Sequence, residues 1–161
     1  MEAVHRFARE LRPAMLDDLG LAAALRSYIK AFSERTGLPV RFEAVPIIEQ
    51  LGNDEKMVLY RVAQEGLTNV ARHAHATEVD VTIRATRVAL RLEISDNGKA
   101  FSLEQKEASD NANAQKRLGL LGIQERVRLV NGTFHIEARE GTGTVLRVDL
   151  PLPTEEPNTK R

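Results

Sequence analysis

The 161-residue sequence contains no cysteine, which excludes disulfide bonds, zinc sites built on thiolates and cysteine nucleophiles. It also lacks an excess of charge, because 23 lysines and arginines balance 23 aspartates and glutamates. A neutral chain has no strong field that would draw it onto nucleic acid or an anionic membrane. No run of apolar residues reaches the length of a membrane span. We therefore expect a cytoplasmic domain without a nucleic-acid partner.

Hydrophobic periodicity divides the chain into helices and short strands. Apolar residues at helical spacing predict four helices, the third of them capped by Asn53. These helices span about residues 1–12, 18–35, 53–75 and 118–130. Alternation of apolar and polar residues predicts five strands, at 40–44, 78–84, 88–94, 133–139 and 144–150. Because the strands come mostly in adjacent pairs, we expect an α+β fold, a two-layer sandwich of an antiparallel-dominated mixed sheet with helices on one face.

Two segments lack the apolar residues that a core requires. Residues 102–117 are almost entirely polar, and this composition predicts a mobile loop. The tail at 153–161 is also polar and is predicted to be disordered.

A polar stripe crosses the third predicted helix. Glu65, Asn69, Arg72 and His73 fall on one face at 100° per residue, while apolar residues fill the other face. Such a stripe is either a solvated surface or one wall of a ligand pocket. The glycine-rich segments that follow favour the pocket.

Three glycine-rich segments stand at the predicted ends of elements. They are Asp96-Asn-Gly98 after a strand, Gly119-Leu120-Leu-Gly122 before a helix, and Gly141-Thr-Gly-Thr144 at a hairpin. Each is compatible with an ordinary turn or with close helix packing. Their order, with a polar segment between the first two, favours a shared site.

This order resembles the ATP-binding fold of gyrase, Hsp90-type chaperones, MutL and histidine kinases. The segments LRPAMLDDLGLAAAL and GLLGIQERVRLVNG are similar to those of sensor histidine kinases of the NarX, DesK and LiaS-like group. The likeness extends over about residues 4–152. It implies three parts: the end of a dimerisation-domain helix with its linker at 1–16, an ATP-binding catalytic domain at 17–152, and the tail.

The resemblance implies a role for each polar residue. Asp96 would accept the adenine amino group, Gly98 would let the backbone approach the base, and Thr144 would place a hydroxyl near it. Asn69 would supply an oxygen to Mg²⁺. Glu65 would act as the general base of the reaction.

The remaining positions would bind the phosphates of ATP. Arg72 and His73 would face them, and the Gly119–Gly122 segment, with Leu120 inside it, would offer backbone N–H groups at a helix N-terminus. The sequence departs from the family pattern at Ala100 and Arg117, where glycines are usual.

The implied function is transfer of the γ-phosphate of ATP to a histidine outside this chain. Arg12 and Pro13 stand where the acceptor box of this group has histidine and aspartate. The implied partners are a dimerisation and phosphoacceptor domain of the same protein, a response regulator and a second copy in a homodimer. Membrane attachment would come only through upstream regions. A stand-alone ATPase and a nucleotide-dead, anti-sigma-like interaction module of the same fold remain as alternatives.

Overall fold

The computed structural model describes residues 13–99 and 110–153. The predictions for residues 1–12, for Ala100 and for the tail from residue 154 lie outside this part of the chain. The helices are α1 (Ala14–Leu19), α2 (Leu21–Thr36), α3 (Asn53–Asn69) and α4 (Asp110–Leu129), with a 3₁₀ turn at Pro46–Gln50 and a π-helical turn at Val70–Ala74. The strands are β1 (Val40–Ala44), β2 (Val79–Ala85), β3 (Ala89–Asp96), β4 (Thr133–Arg139) and β5 (Gly143–Pro151).

The five strands form one mixed sheet in the order β1-β2-β3-β5-β4. β1 pairs with β2 in parallel, and the other three pairings are antiparallel. The predicted α+β architecture with an antiparallel-dominated sheet is thus confirmed. Since β3 and β5 are neighbours and run in opposite directions, the end of β3 lies beside the start of β5.

The two faces of the sheet differ in polarity. Residues of the central strands alternate, so that one face of β2 buries Val79, Val81 and Ile83 against helical side chains. The opposite face carries ion pairs between strands, among them Arg91 with Asp149 at 2.7 Å. This separation places the helices on one side only, where α3 and α4 also border the candidate site.

The second predicted helix is broken near its start. Gly20 has a φ of +88°, which a side chain rarely adopts, and it separates α1 from α2. The Glu49 carboxylate accepts hydrogen bonds from the first backbone N–H groups of α2, those of Leu21 at 3.2 Å and Ala22 at 3.0 Å. This contact from a distant turn replaces a local cap, and sequence periodicity alone does not reveal it.

The other helix ends show one correct and one wrong prediction. α2 ends as predicted at Gly37, whose left-handed backbone lets its N–H bond the Ser33 carbonyl at 2.8 Å. The N-cap of α3 is Gly52 rather than Asn53, and the Glu55 carboxylate accepts the Gly52 N–H. Glu55 thus satisfies the N–H of the N-cap residue itself, while Gly52 has no side chain that could accept the first N–H groups inside the helix, as an asparagine would.

The polar segment before α4 is helical over much of its length. α4 begins at Asp110 and runs without interruption to Leu129, so the predicted loop at 102–117 is wrong for residues 110–117. Alanine, glutamine, lysine and arginine in this stretch have high helix propensity even without an apolar stripe. Residues 102–109 lie outside the described part of the chain.

Candidate functional site

Asp96 ends β3 and is the only buried charged side chain among the described residues, with 7% of its surface exposed. Its carboxylate accepts the backbone N–H of Gly98 at 2.8 Å and the backbone N–H of Thr144. Burial raises the pKa of Asp96, while these two donors and the nearby Lys116 ammonium oppose the rise. The carboxylate is thus a desolvated acceptor held by two backbone donors.

The Gly141–Thr144 hairpin forms the other side of this corner. Gly143 has a φ of +106°, and its Cα lies so close to the Asp96 carbonyl oxygen that a Cβ would collide with it. The contact follows from the pairing of β3 with β5, which aligns Ser95 with Val145. The structure assigns Thr144 a backbone bond to Asp96, in addition to the hydroxyl contact with adenine that the resemblance implies.

Gly98 has a structural role within the protein itself. A Cβ at this position would collide with the carbonyl oxygen of Ala74, and the N–H of Lys99 donates to that same oxygen at 2.6 Å. Because the obstacle is backbone, it cannot move aside easily. The sequence analysis explained this glycine by a close approach of adenine to the backbone. In this structure, the group that approaches Gly98 closely is the Ala74 carbonyl, at the end of the π-helical turn.

Asn69 is the last residue of α3 and lines the same cleft as Thr144. Its Nδ2 is buried and has no hydrogen-bond partner, the only such side-chain atom in the described residues. A buried polar group without a partner is costly, so this amide calls for a ligand or ordered solvent. The amide offers an oxygen as well as two N–H donors, and exchanging them requires only a half-turn of the group.

The cleft around Asn69 is narrow, with a volume of about 40 Å³. Its walls come from the ends of α3 and β3, from the π-helical turn, from α4 and from β4 and β5. They include Gly66, Asn69, Val70, Ala74, Ile94, Lys99, Lys116, Leu120, Ile136, Thr144 and Leu146. The sequence pattern identified only Asn69, Leu120 and Thr144 of this set.

Glu65 lies in a second cleft, of about 320 Å³, between α3 and α4. Gly119 sits against its carboxylate so closely that a Cβ there would collide with it. The walls of this cleft are Arg61, Gln64, Glu65, Thr68, Leu118, Gly119, Gly122, Ile123 and Arg126. Glu65 is one helical turn from Asn69, so the two clefts are adjacent along α3.

Arg72 and His73 lie in the π-helical turn that follows Asn69. Arg72 is exposed and is not among the residues that line the cleft, whereas His73 is partly buried. Burial lowers the pKa of His73, and the charges of Lys116 and Arg72 lower it further. The imidazole is therefore neutral at pH 7, and its surroundings are positive.

The prediction that Gly119 and Gly122 lie at a helix N-terminus is wrong for this structure. Both lie inside α4, whose first residue is Asp110. Their N–H groups belong to the interior of a helix, where the residue four positions earlier normally accepts them. Leu120 between them is buried and packs into the cleft.

Lys116 is the functional candidate that the sequence pattern missed. It was grouped with the polar loop, but it stands one helical turn before the buried Leu120 and reaches the same cleft. Extending the Leu120, Ile123 and Val127 stripe backwards by one turn would have placed it there. Burial lowers the pKa of the Lys116 ammonium to about 8, although Asp96 acts to raise it.

The donor set fits Mg²⁺ bound together with phosphate oxygens. Among residues 13–99 and 110–153, no group of three or more histidine, aspartate or glutamate side chains forms a metal cage. Mg²⁺ does not need one, because it keeps several waters and takes one or two protein ligands beside substrate phosphates. Asn69 is a suitable ligand of this kind through its amide oxygen, while its unpartnered amide nitrogen could donate to a phosphate oxygen. No described helix is long and apolar enough to cross a membrane.

Comparisons with known proteins agree with this geometry. Residues 54–154 match the family model described as histidine kinase-, DNA gyrase B-, and HSP90-like ATPase. The signal transduction histidine-protein kinase/phosphatase DegS of Brevibacillus brevis is 36% identical over 154 residues, which are 95% of this chain and 38% of that protein. The chain thus spans well under half the length of this relative.

Solved structures show the same fold. The histidine kinase domain of a blue-light activated histidine kinase from Erythrobacter litoralis matches with a TM-score of 0.66 and 20% identity, covering 82% of this chain and 61% of that one. A second structure of the Erythrobacter litoralis kinase matches with a TM-score of 0.63 and 18% identity, over 81% of this chain and 41% of its own.

Proposed function

Since the chain belongs to the histidine kinase-, DNA gyrase B- and HSP90-like ATPases, we propose that it is the ATP-binding catalytic domain of a sensor histidine kinase. It transfers the γ-phosphate of ATP to a histidine on a dimerisation domain outside this chain. The observation that carries the proposal is a buried carboxylate, Asp96, which accepts the backbone N–H of Thr144. Thr144 lines the same cleft as Asn69, whose buried amide nitrogen has no partner.

Asp96 selects the base. An ionised carboxylate only accepts hydrogen bonds, so it favours a ligand that presents a donor, such as the amino group of adenine. Two backbone N–H groups fix the orientation of the carboxylate. Thr144 and Gly98 support this corner, from β5 and from the turn after β3.

Asn69 would hold Mg²⁺ through its amide oxygen, and the ion would neutralise charge on the phosphates when bound. Arg72, neutral His73 and Lys116 make the neighbourhood positive or hydrogen-bond donating. Arg72 is the stronger phosphate ligand of the turn, because its guanidinium is permanently charged.

Glu65 serves as general base from the adjacent cleft. In the transfer, a nitrogen of the acceptor imidazole forms a bond to the γ-phosphorus while the bond from that phosphorus to the bridging oxygen of ADP breaks. Glu65 accepts the proton that the ring gives up. The Glu65 cleft opens between α3 and α4, which gives the acceptor a separate route to the phosphates.

The proposal extends to the organisation of the whole protein. Residues 1–16 are assigned to the dimerisation domain and its linker, and residues 17–152 to the catalytic domain. The partners are a dimerisation domain, a second copy in a homodimer and a response regulator. The domain works in the cytoplasm, and any membrane attachment lies upstream.

The test is phosphotransfer in trans. The chain is mixed with a dimerisation domain from the same protein and with ATP labelled at the γ-position, and acid-labile label on the acceptor is measured. We expect transfer by the wild type and a loss of about a hundredfold or more with Glu65→Gln, because a general base contributes that much to the chemical step. Calorimetry should show unchanged ATP binding by Glu65→Gln.

The opposite outcomes separate the alternatives. Release of inorganic phosphate without transfer would identify an ATPase of this fold. Failure of the wild-type chain to bind ATP at all would identify an interaction module.

A further inference from the structure

The cleft beside Asp96 contains an amino group of the protein itself. Lys116 projects from α4 into the cleft that Asn69 and Thr144 also line. Its side chain is partly buried and interacts electrostatically with the Asp96 carboxylate. An ammonium is a hydrogen-bond donor, as is the amino group of adenine, so both satisfy the same acceptor.

The volume of the cleft excludes a nucleotide base in this conformation. Sites for small molecules usually measure about 300–1,000 Å³. The cleft here measures about 40 Å³, which is room for no more than a few waters. Two of the side chains that close it, Lys116 and Leu120, come from α4.

Burial explains why a cation stays at this place. Asp96 is desolvated, and a buried charge requires a partner of opposite sign. Lys116 is the cation whose charge acts on Asp96. Lys116 and the exposed Arg72 both also act on the partly buried His73. Lys99 is the other lysine that lines the cleft.

We propose that Lys116 is an internal competitor for the adenine subsite, so that a base reaches Asp96 only after the first turns of α4 carry the Lys116 ammonium out of the cleft. The inference rests on the proposed adenine-binding role of Asp96. The closed arrangement lowers the apparent affinity in proportion to the fraction of molecules that are open. The ordered first half of α4 is thus part of the control of nucleotide binding.

The test uses adenosine, which has no phosphates, so that any contact of Lys116 with phosphate does not enter the result. Adenosine binding is measured by calorimetry for the wild type and for Lys116→Ala. We expect the variant to bind about tenfold more tightly, equivalent to about 1.4 kcal/mol. Arg128→Ala removes an exposed cation from the same helix and should leave the affinity at the wild-type value.

A second measurement follows the amine directly. Acetylation of Lys116 by an amine-reactive reagent, mapped by mass spectrometry, should become faster when adenosine is added, because the ammonium leaves the cleft. Equal or weaker adenosine binding by Lys116→Ala, or slower acetylation with adenosine, would overturn the competitor role while ATP binding still supports the proposed function. Absence of ATP and adenosine binding in every variant would overturn both.

Discussion

At the scale of single residues, the adenine selectivity proposed for Asp96 depends on the groups that surround its carboxylate. Its carboxylate is buried and already accepts two backbone N–H groups, so a third donor meets an acceptor of fixed direction. Hydrogen bonds to charged groups contribute about 1.5–3 kcal/mol, more than neutral ones. Asp96 should therefore determine the preference for adenine more than the total affinity for phosphates.

Asp96→Asn tests this role. The amide keeps one oxygen but adds a donor that opposes the adenine amino group, so we expect ATP affinity to fall at least about tenfold. Binding of inorganic tripolyphosphate should change little. Calorimetry with both ligands measures the difference, and a thermal melt checks that the variant stays folded. An equal loss for the two ligands would remove Asp96 from the adenine subsite.

If Asp96 binds adenine as proposed, its raised pKa should make adenosine binding depend on pH. Because burial raises this pKa, the carboxylate becomes protonated at a higher pH than an ordinary aspartate does. The protonated form presents a donor to a donor, so adenosine affinity should be full above the raised pKa and fall as the pH drops through it. Titration calorimetry at several pH values measures the fall. Asp96→Asn should lack it, which separates the effect from protonation of adenine itself.

Asn69→Ala tests whether the Asn69 side chain makes ATP binding depend on Mg²⁺. Asn69→Ala removes the unpartnered buried nitrogen, so it should leave the fold intact and cost little stability. It also removes the proposed metal ligand, and we expect ATP affinity to become independent of Mg²⁺ and phosphotransfer to be lost. ATP titrations with and without Mg²⁺ decide the matter. A variant with full Mg²⁺-dependent transfer would contradict the assignment.

At the scale of elements, Gly98 in the turn after β3 and Gly122 in α4 differ in the space that surrounds them. Gly98 has no room for a Cβ because the Ala74 carbonyl lies against it, whereas Gly122 has no atom within 4 Å of such a Cβ. Gly122 also lies inside a helix, where alanine is favoured over glycine. Alanine substitutions at Gly98 and Gly122 therefore distinguish a steric requirement for glycine from the low helix propensity of glycine.

Gly98→Ala should lower the free energy of unfolding by about 1–3 kcal/mol, as overpacking against backbone does. Gly122→Ala should raise it by roughly 0.5–1 kcal/mol. Denaturation in urea measures both changes. If Gly98→Ala were neutral, the contact with Ala74 would be too loose to explain the glycine.

The strands were predictable and the first half of α4 was not, for physical reasons. β2 and β3 alternate apolar and polar residues, and this pattern arises because one face of the sheet is buried. Residues 110–117 have no apolar stripe, so their helix depends on propensity and on the contact of Lys116 with the cleft. Pattern reasoning detects burial of apolar surface and does not detect a partly buried lysine near a carboxylate.

The candidate site shows the same limit. The polar stripe identified Glu65 and Asn69, but the π-helical turn changes the helical register after Asn69, and Arg72 stays exposed. A wide turn of this kind has no reliable sequence signature. Contacts such as Gly119 with Glu65 depend on how two helices cross, which a single sequence does not specify.

At the scale of the whole molecule, we expect the chain alone to incorporate no acid-labile phosphate. Arg12 and Pro13 replace the acceptor pair in the one segment that resembles an acceptor box. Phosphoryl transfer requires a nucleophile aligned with the γ-phosphate. Incubation with γ-labelled ATP, without any added domain, measures the label. Acid-labile label on His5, which lies outside the described residues, would place an acceptor within this chain.

The junction of β3 and β5 has a consequence for how such chains vary. The polypeptide leaves the sheet at Asp96 and returns at Thr133, the start of β4. The hairpin after β4 then brings Gly143 against the Asp96 carbonyl. The segment at 97–132 is therefore an excursion from the sheet, and both of its ends are fixed because β3 and β4 pair with β5. Lengthening a flexible part of such a loop costs only about 0.6 kcal/mol for each doubling. Insertions and deletions within this excursion can accumulate during evolution, while the corner formed by Asp96 and Thr144 keeps its geometry.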